Sequence, residues 1–171
     1  MIFNSTNRLS RSAGSRRAGR FLLLAILALC PAAATGQQAA VPPFKPALAE
    51  FMILTQIRHS KLWLAGNAGN WDLADYQIDE LKEGLEDAAK YVPDLKGLPV
   101  AGMIESTVMP QIGDVEKAIK AKDRGRFAAA YDKLTAACNT CHHSAGRPYI
   151  VIQRPAHSVF PNQSFAPRNA R

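Results

Sequence analysis

Apolar positions in this chain recur at helical spacing. Leu48, Met52, Thr55, His59 and Leu62 fall at i, i+4, i+7, i+11 and i+14, the stripe that one face of an α-helix buries. That segment opens at Pro46, suited to a first turn, and closes at Gly66-Asn67-Ala68-Gly69, where glycine can adopt a left-handed cap. A second helix begins after Asn70, a good N-cap. Leu73, Leu81, Leu85, Ala88 and Val92 make its apolar face. Asp72, Asp75, Asp79, Glu80, Glu83, Glu86 and Asp87 make its solvated face, and Pro93 stops it. A third helix starts at Pro99 and carries Val100, Ile104, Val108, Ile112, Val115 and Ile119; Pro110 inside it predicts a kink or a break. A fourth follows Asp123, with the stripe Phe127, Tyr131, Leu134, Cys138 and Cys141.

Residues 46–143 hold 25 Ala and Leu against 14 Val, Ile and Thr, a balance that favours helix over sheet. Four helices joined by short loops predict an all-α fold, an antiparallel four-helix bundle over residues 46–145. Beyond it the character changes. Tyr149-Ile150-Val151-Ile152 is a short β-like run, and Pro148, Pro155, Pro161 and Pro167 preclude a long helix. Residues 146–171 therefore read as a tail, either extended and docked or partly disordered.

The N-terminus reads as an address. Arg8, Arg11, Arg16, Arg17 and Arg20 precede an apolar run from Phe21 to Cys30, and Pro31-Ala32-Ala33-Ala34-Thr35-Gly36 follows. A basic region, a short apolar region and small residues make a secretory signal peptide. The expected organisation is a signal peptide over 1–36, cleaved after Ala34 or Gly36, and a linker over 37–45. The apolar run is short for a bilayer span, so the mature chain is not expected to span a membrane.

Composition then limits the partners. The formal net charge of +7 suggests nucleic-acid binding, yet the excess lies at the ends. Residues 1–36 and 142–171 contain nine Arg and no acid, and 37–141 hold 12 basic against 14 acidic residues. No nucleic-acid partner is expected. Three cysteines among 171 residues are too few for a disulfide scaffold.

The chemistry sits at Cys138-Asn139-Thr140-Cys141-His142, a C-x-x-C-H string of the kind that attaches c-type haem. Two thiols three positions apart share a helix face and can add to the two vinyl groups of one porphyrin. His142 then serves as the axial iron ligand. Export agrees, since c-type haem is attached outside the cytoplasm. Two rivals use the same cysteines. A redox dithiol needs a depressed thiolate pKa, which the C-terminal end of a helix opposes. A zinc site could combine Cys138 and Cys141 with His143 and His157, but leaves His142 unexplained.

A haem c motif near the end of the last of four helices resembles the class II c-type cytochromes, the cytochrome c prime group and its low-spin relatives. The resemblance covers residues 46–145 and rests on helix count, motif position and Cys138, Cys141 and His142. The tail after the motif departs from it, as does Arg58-His59-Ser60-Lys61-Leu62-Trp63, so the chain reads as a divergent branch. The resemblance implies that a sixth iron ligand, where present, comes from the first helix. Met52 and His59 are the candidates. They lie seven apart on one face, about 10.5 Å along the axis, so only one can reach the iron.

The expected function is that of a periplasmic mono-haem c-type cytochrome, carrying single electrons to and from redox partner proteins as a monomer or homodimer. The alternative is a five-coordinate haem module binding nitric oxide or carbon monoxide, with Met52 or His59 only shaping the pocket. A haem peroxidase would need a distal acid–base such as His59, and the sequence identifies no partner for it; the chain is not expected to be an enzyme.

Overall fold

The computed structural model describes residues 44–168. The expected signal peptide and nearly all of the linker lie outside these residues. Five α-helices and one π-helical turn form, and no strand is present among the described residues: the fold is all-α. They are α1 Leu48–Ala68, α2 Trp71–Tyr91, α3 Val100–Met103, the π turn Ile104–Val108, α4 Met109–Lys120 and α5 Arg124–Ser144.

Punctuation in the sequence sets the boundaries. Gly69 closes α1 with φ 75°, its N–H bonded to Ala65 and Gly66 carbonyls, a conformation glycine adopts without a Cβ penalty. Asn70 Oδ1 accepts the Leu73 amide at 3.3 Å and starts α2, while its amide donates to Ala166 O at 3.2 Å. Asp123 Oδ1 accepts the Arg126 amide at 3.0 Å and starts α5. Between α2 and α3, Leu95 and Leu98 exchange backbone hydrogen bonds of 3.0 and 3.1 Å. Lys96 and Gly97 between them both have positive φ, as a tight two-residue turn requires.

Helix α1 packs on α2, α2 on α3 and α4, and α5 on α4, the π turn and α1. All six stripe positions of the third segment, Val100 through Ile119, are buried. Their segment is not kinked at Pro110 alone. A π turn occupies the residues just before it, and α4 begins at Met109. Proline has no N–H for the carbonyl four residues back and its ring crowds that carbonyl, so the adjustment falls upstream, where a wider turn accommodates it.

The core centres on Leu62, Ile78, Leu81, Ile112, Phe127 and Tyr131. Gly66 admits the Phe127 ring against the α1 backbone; a Cβ there would collide with it. Trp63 and Trp71 complete an aromatic cluster around Phe127, at centroid distances of 6.1 and 6.0 Å.

Residues 145–168 have no helix or strand but lie against the helices. Phe165 is buried, and Lys61 sits over the Phe160 ring at 5.0 Å. Arg154 makes a two-pronged pair with Asp132, each contact 2.6 Å, and stacks over Trp63 at 4.2 Å. Most of the acidic face of α2 is exposed, but Glu80 is partly buried and takes Arg58 at 3.0 Å. No helix among the described residues is long and apolar enough to cross a membrane.

Candidate functional site

A cavity of about 490 Å³ opens between α1, the 95–104 segment, the end of α5 and the tail. Ligand-sized pockets fall in this range. Leu48, Leu85, Leu95, Leu98, Val100 and Ile104 give it an almost wholly apolar wall. The turn at 95–98 is what delivers two of these leucines.

Helix α5 brings Cys138, Cys141 and His142 to the same cavity. Both cysteines are free and partly buried. Burial pushes the Cys138 thiol up to about 12, with Cys141 adding to the effect, and raises Cys141 as well. Both thiols thus stay protonated at neutral pH, the opposite of what dithiol exchange needs.

His142 is oriented by the tail. Its Nδ1 lies 3.0 Å from Ile150 O. A carbonyl only accepts, so Nδ1 carries a proton, and in the neutral ring Nε2 is then the nitrogen with the lone pair. An imidazole that donates one ring N–H to a backbone carbonyl is the usual state of a metal-ligating histidine. Ile150 and Ile152 themselves line the cavity, as does Arg147, whose guanidinium also donates to Ala145 O at 3.1 Å. Arg154 is committed elsewhere, to Asp132 and Trp63. His143 and His157 are exposed.

Met52 and His59 both line the cavity from α1, but their surroundings differ. His59 is 2% exposed. Its Nε2 lies 3.0 Å from Thr135 Oγ1 and its Nδ1 2.9 Å from Tyr131 OH. Tyr131 OH is also 3.0 Å from His59 O, and Thr135 Oγ1 2.9 Å from Tyr131 O. Both ring nitrogens are therefore held by hydroxyls, and burial lowers the pKa to about 4, so the ring is neutral. The same burial raises the Tyr131 phenol. Met52 is partly buried and packs against the core.

Sequence reasoning singled out Cys138, Cys141, His142, Met52 and His59 as haem or iron ligands and missed residues that hold them. Thr135, four residues after Tyr131 and three before Cys138, shares their face, but as a polar residue it was not counted in the apolar stripe. Asn139 and Ile152, which bond each other, carry no motif that marks them.

Among the described residues no three His, Cys, Asp or Glu side chains group as a metal site, so the zinc reading, which needs four ligands, lacks its second pair. Compared with family models, curated proteins and solved structures, the chain matches none.

Proposed function

We propose that the chain is an exported mono-haem c-type cytochrome, an antiparallel four-helix bundle of the class II kind that carries single electrons. One observation carries the reading: Cys138, Cys141 and His142 border one apolar cavity, with His142 Nδ1 taken by a backbone carbonyl. The two thiols are the groups that would form thioethers, and His142 Nε2 the proximal ligand. Haem would supply a one-electron iron couple, its potential set by axial ligand and burial. The chain's part is to hold that couple dry and fixed. Leu85, Leu95 and Leu98 exclude water, and Arg147 stands where it can pair with an anionic group.

Met52 is the better sixth ligand of the two. To ligate, His59 would have to give up one of its two hydroxyl contacts, Thr135 at 3.0 Å or Tyr131 at 2.9 Å, a loss of about 1 kcal/mol. Met52 gives up only packing. The same contacts weigh against His59 as a peroxidase acid–base. Periplasmic location and redox partner proteins follow from the N-terminal segment and the cofactor, and belong to the same proposal.

Oxidised and reduced absorption spectra test it. Sharp reduced bands of a six-coordinate low-spin haem support an electron carrier. A high-spin spectrum with immediate carbon monoxide binding moves the reading to a gas-binding module. A protein without visible absorption overturns both.

A further inference from the structure

We propose that Asn139, the residue after the first cysteine, is a positioning residue for His142, acting through the C-terminal segment. The inference rests on the haem reading of the same site. The Asn139 carboxamide bonds the backbone of Ile152 twice, accepting from its N–H at 2.7 Å and donating to its carbonyl at 2.9 Å. A side chain that takes both backbone groups of one residue fixes that residue's position and direction. Two residues earlier on the same stretch, Ile150 O accepts the His142 Nδ1 proton at 3.0 Å. Asn139 and His142 stand three apart on α5, so one end of one helix supplies both the residue that holds the stretch and the ring the stretch orients.

Burial does little of this work. Ile150 is 40% and Val151 68% exposed, so polar contacts hold 150–152 against the helix. On its near side the turn is tied to α5 by Arg147 N–H on His142 O at 2.8 Å, and Ile150 N–H reaches Arg147 O at 3.0 Å; Asn139 holds the stretch from its far side. The next anchor, Arg154 on Asp132 and Trp63, lies beyond Ile152. Without Asn139 the Ile150 carbonyl is held opposite the imidazole from the Arg147 side alone.

The consequence is electronic as well as steric. A carbonyl on Nδ1–H makes Nε2 a stronger donor and stops the ring from rotating; losing such a partner typically costs 10–100-fold in metal affinity or activity. A weaker donor stabilises ferric iron less, so the oxidised–reduced equilibrium moves toward the reduced form.

The test compares wild type, Asn139→Ala and Ile152→Pro, each purified from cells that attach haem. Ile152→Pro removes the N–H that Asn139 accepts, and it carries the comparison should Asn139→Ala not fold. Both variants should shift the one-electron equilibrium about tenfold toward the reduced form, a rise of about 59 mV in midpoint potential. Variants that melt earlier at an unchanged potential would overturn the inference, because Asn139 would then only fasten the tail. If the purified chain carries no haem, the functional reading fails on its own, and nitrogen-15 shifts of His142 still decide this one. Wild type should show Nδ1 protonated and Asn139→Ala should not; the same tautomer in both overturns it.

Discussion

Acidification from pH 7 to pH 5 should destabilise the folded chain through His59. The ring is 2% exposed and its pKa is lowered from 6.5 to about 4 by burial. Its partners do not forbid protonation, since Thr135 and Tyr131 can turn their own protons to the Tyr131 and His59 carbonyls; the cost is desolvation of the charged ring. The unfolded chain binds this proton more readily than the folded one. Stability is therefore full above about pH 6.5 and falls as the pH drops from there toward 4. At pH 5, about 1.5 units below the ordinary value, the loss is about 2 kcal/mol, and below pH 4 about 3 kcal/mol. That is a large share of the 5–15 kcal/mol typical of a domain. Urea unfolding of wild type and His59→Gln at pH 7, 6 and 5 measures it. Taking the difference removes the carboxylates, which titrate in both proteins. Wild type should lose about 2 kcal/mol more than the variant between pH 7 and 5. Equal losses would refute the reasoning.

Two further perturbations probe the core and the proposed sixth ligand. Gly66→Ala drives a methyl into the Phe127 ring and should cost about 1–3 kcal/mol in urea unfolding; adding Phe127→Leu should recover part of it. If Met52 is the sixth ligand, Met52→Ala should abolish the weak far-red sulfur-to-iron absorption of the ferric protein and open the iron to carbon monoxide, while His59→Gln leaves that band in place.

The parts of the fold that were legible are those set by local chemistry. Asn70 and Asp123 cap the helices they precede, and Gly69 takes the left-handed turn its position suggested. The apolar stripe from Val100 to Ile119 is buried throughout, because a helical period states which face turns inward. The π turn was not legible: Pro110 announces a disturbance but not its direction along the helix, which depends on the carbonyl that loses its partner. Nor was the path of residues 145–168, whose contacts are single, non-periodic events such as Arg154 on Asp132 and Trp63.

At the site, the motif marked the α5 wall of the cavity, and the stripe of α1 placed Met52 and His59 toward the same cavity. Sequence spacing could not tell those two apart. What separates them is a pair of hydroxyls, Thr135 and Tyr131, contributed by α5, more than 70 residues away in sequence. Leu95 and Leu98 were invisible for a different reason. They sit in a connection of only a few residues, where no periodicity exists to read, and the tight turn aims both into the cavity.

The mass of the denatured chain tests the central claim most directly. Protein purified from cells that attach haem, unfolded and extracted with acidified acetone, should keep one haem per chain on the peptide holding Cys138 and Cys141. Replacing both cysteines by alanine should abolish that retention. A wild-type chain that releases all its haem on unfolding, or whose peptide spanning residues 138–142 has the mass of its amino acids alone, would contradict the account.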